Sequence, residues 1–329
     1  TVIRLSRMIA TRRSRDPNLA AAHTQLEDNF GRAFPGGERA NLAMLRERHM
    51  MARHHAGVIL ANLRARGRRA LARHAARDVT YLDPAWLDVI TRSARPVILF
   101  TPHYGCFVSA SLRIARDLGA HRRVNIFFDD PRDNPTTGMF APLYTRFGGN
   151  VNVLYNSRRA VVAALRALKE GEVLTMMPDV YDVSGGYAAV PFFGGLTNAM
   201  TGTAFLACKT GALLVPVYCR PVQGLRCEVD VQPPIEPSAI PDFEQAVFET
   251  TAAIFGNMEA ELRRHPEHWI YWDEFHRRFP AMTPLPGKGE TWEEGADALF
   301  AELRRRAPVL EPLLDDLERE LSEAHAGPL

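Results

Sequence analysis

The sequence predicts an α/β fold, with a mixed, largely parallel central sheet flanked by helices, a helical N-terminal region and a helical C-terminal tail. Three observations predict it. Short apolar runs rich in β-branched residues, such as Val97-Ile98-Leu99-Phe100, Val124 to Phe128 and Val151 to Leu154, recur between segments of helical periodicity. Turn residues punctuate them, as in Asp129-Asp130-Pro131-Arg132-Asp133-Asn134-Pro135 and Gly148-Gly149. Charge is also segregated along the 329 residues. Residues 1–77 hold sixteen arginines and no lysine against five acidic residues, whereas the segment from Ala281 holds eleven acidic residues against five basic ones. The chain thus divides into a basic helical region (1–80), an α/β domain (81–280) and an acidic helical extension (281–329).

Taken in order, residues 17–77 read as helices broken at Pro35-Gly36-Gly37 and more weakly at Gly67. Tyr81 to Ser93 reads as a short helix, with Asp83 as a cap and Pro84 at its first position. The run 97–100 is a buried strand that stops at Thr101-Pro102, because proline has no N–H to continue a ladder. His103 and Gly105 follow at once, then an apolar helix from Phe107 to Leu118. An imidazole therefore sits where a strand gives way to a helix N-terminus, the crevice position of open α/β sheets. Strands follow at 124–128, 151–154 and 172–177, the last closed by Pro178-Asp179. Between the last two lies a helix from Arg158 to Lys169, capped by Ser157 and ended by Gly171. The stretch from Ser184 to Gly195 reads as a loop rich in glycine and aromatics. A helix (200–209), strands at 213–219 and 225–231, and a long helix from Pro241-Asp242 to Arg264 complete the domain.

Composition narrows the function classes. No apolar run approaches the roughly 18 residues of a membrane span, and no signal peptide is visible. The expected location is cytoplasmic, with peripheral contact at the inner face of a membrane as an extension of that reading. Cys106, Cys208, Cys219 and Cys227 show no metal-ligand spacing and read as reduced. No nucleic-acid motif accompanies the arginines, which leaves a solvated face, an anionic membrane surface or an acidic carrier protein to explain them.

With these residues in view, the chain resembles the lipid A (late) acyltransferases, within the lysophospholipid acyltransferase-like superfamily. The resemblance is carried by Val190-Pro191-Phe192-Phe193-Gly194 with Thr201, by Thr210-Gly211-Ala212 before Val215-Pro216-Val217, and by Leu168-Lys169-Glu170-Gly171 with Met177-Pro178-Asp179. A closing run, Arg263-Arg264-His265-Pro266-Glu267 to His276-Arg277-Arg278-Phe279, completes it. The resemblance implies acyl transfer from a carrier-protein or coenzyme A thioester to a hydroxyl or amine, in lipid or natural-product biosynthesis. No metal or other cofactor is implied. It casts His103 as general base, which needs a neutral imidazole of fixed tautomer. Backbone amides near Gly194-Gly195 or Gly105 are its candidate oxyanion donors. Asp130, Arg132, Asn134, Arg146, Phe193, Gly194 and Thr201 are its candidate substrate-binding residues.

Two positions depart from the family pattern. The family's carboxylate five residues after the histidine is Val108 here, and its arginine before Asn-Pro is Asp130. The first departure leaves three readings open. His103 acts alone or is oriented by another group such as Asp179; Cys106 is a covalent acyl acceptor rather than a small buried hydrophobe; or the fold has become a binding scaffold without catalysis. The second favours an amine over a phosphate if Asp129, Asp130 and Asp133 face the acceptor, although the same residues also make an ordinary acidic turn.

Overall fold

In the computed structural model, residues 16–132, 134–135, 137–180 and 187–278 are described, together with Met8, Arg12, Arg304 and Asp315. The acidic C-terminal helices expected after Ala281 and Asp133 lie outside the described residues. The N-terminal region forms α1 (Ala20–Ala33), α2 (Arg39–Arg64) and α3 (Arg68–Arg77). Then come β1 (Val79–Tyr81), α4 (Ala85–Arg92), β2 (Val97–Phe100), α5 (Phe107–Leu118), β3 (Val124–Phe128), α6 (Thr137–Phe147), β4 (Val151–Tyr155), α7 (Arg158–Lys169) and β5 (Val173–Met176). The chain continues through β6 (Tyr187–Phe192), β7 (Gly195–Met200), α8 (Gly202–Thr210), β8 (Leu213–Pro221), β9 (Cys227–Val231) and α9 (Phe243–Arg264). Two 3₁₀ segments, Pro266–His268 and Ile270–Arg278, close it.

Seven strands form one sheet in the order β1-β9-β8-β2-β5-β3-β4, parallel throughout except for the β8–β9 pair. Strand β2 lies in the middle, so both its faces are covered and all four residues are buried. Period-2 alternation sorts them: Ile98 and Phe100 enter the core beneath α7, α8 and α9, while Val97 and Leu99 enter the core beneath α3, α5 and α6.

The local signals mostly act as the residue types dictate. Ser157 Oγ accepts the Ala160 amide at the start of α7, and Asp242 accepts the Glu244 and Gln245 amides at the start of α9. Two expectations need correction. Residues 79–81 extend the sheet as β1 beside β9, so the helix begins only at Ala85, with Asp83 Oδ1 accepting its amide at 2.9 Å. The stretch expected as a loop is mostly an antiparallel hairpin, β6 and β7, turning at Phe193-Gly194 with both residues at positive φ (51° and 76°). This two-residue geometry suits the twist of paired strands. Phe193 tolerates it because its ring is fixed between Phe34, Trp272 and Phe275 at 5.4–5.6 Å, and its amide donates to Glu259 Oε2 at 2.7 Å.

Helix α1 packs directly on the C-terminal 3₁₀ segment. Phe30 is fully buried with its ring 4.9 Å from that of Trp272, and Asn29 Nδ2 donates to the Trp272 carbonyl at 2.7 Å. Phe30→Ala is expected to cost about 3–5 kcal/mol by leaving a cavity at this junction, measured as the shift in urea-unfolding midpoint. A loss below 1 kcal/mol would mean that α1 is dispensable to the core.

Candidate active site

The site follows from strand register. Strands β2 and β5 are parallel neighbours with Phe100 opposite Met176, and Thr101 N extends the ladder to the Met176 carbonyl. His103 and Asp179 each lie three residues beyond that matched pair, so parallel pairing brings them to the same carboxyl edge. There His103 Nδ1 lies 2.9 Å from Asp179 Oδ1, and the His103 amide donates to Asp179 Oδ2 at 2.7 Å. Trp269 Nε1 also donates to Asp179 Oδ2, at 2.9 Å. The carboxylate is wholly buried. Burial pushes its pKa upward, but the His103 and Arg278 charges and the hydrogen bonds from His103 and Trp269 outweigh this and hold it below the usual value. A carboxylate can only accept, so it fixes the proton on Nδ1 and leaves Nε2 as the open ring nitrogen.

Residues 266–278 act as a strap over this pair. The Gly105 amide donates to the His268 carbonyl at 2.8 Å, the Ile270 amide donates to the His103 carbonyl at 3.0 Å, and Tyr104 and Trp269 form an antiparallel bridge. Arg278, buried beside the Trp269 and Tyr271 rings, donates Nη2 to the Asp179 carbonyl at 2.6 Å. The Tyr271 ring lies 4.8 Å from that of His103. Gly105 is required where it stands: its φ is +50°, and a Cβ there would lie 2.1 Å from the Cys219 carbonyl oxygen.

His103 opens into a cavity of about 560 Å³ whose wall is mostly apolar, including Leu60 and Leu63 of α2, Phe107 and Val108 of α5, and Phe205 and Leu206 of α8. Val108 thus contributes hydrocarbon surface where the family pattern has an acid. Of the residues singled out from sequence, His103, Gly105, Cys106, Val108, Asp129 and Asn134 line this cavity, and buried Asp179 stands directly behind His103. The Cys106 thiol is buried among Cys227 and Cys219, and its contact with Cys227 and its burial push its pKa well above the usual value. A thiol so placed is protonated at neutral pH.

The structure does not bring the remaining candidates to the cavity. Asp130 is clasped by Arg132 through Nε at 3.0 Å, Nη2 at 2.7 Å and the backbone amide at 2.9 Å, which lowers its pKa to about 2. Neither residue lines the cavity; Asp129 next door does. Arg146 donates to the Arg64 carbonyl at 3.0 Å and lines a separate groove with Arg64, Pro131 and Tyr155. Phe193 and Gly194 form the hairpin turn inside the aromatic cluster, and Thr201 precedes α8. Of the oxyanion candidates, the Gly105 amide already donates to the His268 carbonyl, and Gly194-Gly195 belong to the hairpin and do not line the cavity. Trp269, Tyr271 and Arg278 were not legible as site residues. Their only sequence signal was membership of the closing aromatic and basic run.

The sequence profile of the bacterial lipid A biosynthesis acyltransferases matches residues 72–280, a span that contains the His103–Asp179 pair and the strap. No curated protein matches the chain.

The lowered pKa of Asp179 sets an acid limit. Its stabilising effect is complete above the unfolded-chain value near 3.9 and is lost as pH falls through the lower folded value. Urea unfolding from pH 7 to pH 2 should show a steep loss of stability below about pH 4 that is shallower in Asp179→Asn; identical slopes would show that the carboxylate is not held by its partners.

Proposed function

The chain belongs to the bacterial lipid A biosynthesis acyltransferase family, and from that premise we propose that it moves an acyl group from a carrier-protein or coenzyme A thioester to a hydroxyl or amine acceptor. The acyl chain occupies the apolar cavity, whose volume falls in the range of about 300–1,000 Å³ usual for small-molecule sites. His103 Nε2 takes the proton of the acceptor as it attacks the thioester carbonyl. Asp179 is the positioning residue: it holds the tautomer and stabilises the imidazolium that forms. When the C–S bond breaks, the imidazolium returns its proton to the departing thiolate. The observation that carries this reading is the intact His103–Asp179 pair at the wall of an apolar cavity, despite Val108. The pair also leaves Nε2 of His103 facing the cavity, which favours catalysis over a retired scaffold.

An acidic carrier protein is the donor partner that the exposed arginines suit best. Arg64, Arg68, Arg69, Arg73 and Arg77 are exposed at the end of α2 and on α3, and Arg64 joins Arg146 at the neighbouring groove. Among the described residues, no helix is long and apolar enough to cross a membrane. Work at the inner face of a membrane would therefore rest on peripheral contact through the same basic surface.

Thiol release and acyl-acceptor formation, followed with carrier-protein and coenzyme A thioesters, test the mechanism. His103→Ala should lower kcat by about 10²–10⁴, and undiminished turnover would refute the assignment. Asp179→Asn presents an amide to the same ring nitrogen and disturbs the tautomer, so kcat should fall on the order of 10³-fold with an altered pH–rate profile. A change in KM alone would assign Asp179 to binding instead.

A further inference from the structure

The acceptor's chemistry is written in the charge balance of the cavity. Among the described residues, Arg53, His103 and Asp129 are the guanidinium, imidazole and acid groups that line it. Arg53 is ion-paired with Asp273, so its charge is already matched. Asp129 accepts a hydrogen bond from Asn134 Nδ2 at 3.1 Å and forms no ion pair among the described residues. The only arginine in that turn, Arg132, clasps Asp130. Among the described residues, the one carboxylate that lines the cavity is therefore Asp129, and it is free of an ion pair.

Register places that carboxylate at the same sheet edge as His103. Strand β3 is the parallel neighbour of β5, with Ile126 opposite Thr175, and Asp129 follows directly after its last residue, Phe128. His103, Asp179 and Asp129 thus leave the carboxyl edge on three adjacent strands, β2, β5 and β3. Tyr271 lies within the influence of His103 and Asp129. Its ring packs on His103, and Asp179 and Asp129 both act, after burial itself, to keep its hydroxyl protonated.

We propose that the acceptor is a bifunctional cation, an amino alcohol or a diamine, whose ammonium group is held by Asp129 while its second nucleophilic group faces His103. This rests on the acyl-transfer reading and adds the acceptor class to it. A phosphorylated acceptor meets repulsion here, since the position suited to a phosphate-binding arginine is Asp130 and the residue that reaches the cavity is another aspartate. The ammonium held by Asp129 is the anchor and not the attacking atom, because a carboxylate favours the charged form and an ammonium has no lone pair. The second group, a hydroxyl or an unprotonated amine, bonds to the thioester carbonyl carbon as His103 Nε2 takes its proton. The C–S bond then breaks, and the thiolate leaves with that proton. The products are an ester or amide that still bears the ammonium, and a free thiol.

The test compares aminobutanol, diaminobutane, butanol and phosphoethanolamine as acceptors, and follows diaminobutane binding to the His103→Ala chain by calorimetry. The amine-bearing acceptors without phosphate should exceed butanol and phosphoethanolamine at least tenfold in kcat/KM. Asp129→Asn should bring that ratio below threefold, and Asp129→Glu, which keeps the charge, should retain it. Diaminobutane should bind the His103→Ala chain and fail to bind once Asp129→Asn is added. Equal use of butanol, preference for phosphoethanolamine, or a ratio unmoved by Asp129→Asn would overturn the proposal. Asp129-dependent diamine binding with no transfer to any acceptor would refute acyl transfer while leaving the cation site standing. Transfer without Asp129-dependent binding would do the reverse.

Discussion

A carboxylate taken wholly out of water has to be repaid by donors aimed at it, and Asp179 is repaid in full. One oxygen meets the His103 ring; the other meets the His103 amide and the Trp269 indole, while Arg278 holds the carbonyl of the same residue. The donors come from two distant parts of the chain, His103 after β2 and the C-terminal strap. The centre of the sheet, the β5 turn and the C-terminal strap are thereby tied at one point. Strands β2 and β5 must lie in register for the pair to meet, and the strap must close for the indole to arrive.

The strap explains why the helical N-terminal region packs as it does. Trp272 and Phe275 sit among Phe30, Phe34 and Phe193, so α1, the β6–β7 hairpin and the strap share one aromatic core. The hairpin motif that carries much of the family resemblance therefore works at a distance from the chemistry. It shapes the support against which Trp269 and Arg278 are held, and Thr197 adds a hydrogen bond to the Arg278 carbonyl at 3.0 Å.

Val108 and Asp130 gain meaning from this arrangement. A second carboxylate beside His103 is unnecessary when Asp179 already fixes Nδ1, and a valine there lengthens the apolar wall instead. Asp130 pairs with Arg132 and stays off the cavity wall, which the neighbouring Asp129 joins instead.

The sequence by itself determined the α/β layering, most strand positions, the caps at Ser157 and Asp242, and the place of His103 between a strand end and a helix, because hydrophobic period, capping chemistry and a proline stop are local properties. It also admitted Asp179 as a partner without being able to choose it. The hairpin was hidden because a run of glycines and aromatics has no clear period, and its positive-φ turn is stabilised by rings from distant segments. Only the tertiary structure decided that Asp179 meets the Nδ1 of His103, that Asp129 and not Asp130 reaches the cavity, and that Trp269, Tyr271 and Arg278 surround the pair. Those choices depend on strand register and on side chains far apart in sequence, such as Asp179 and Trp269, which no local pattern can bring together.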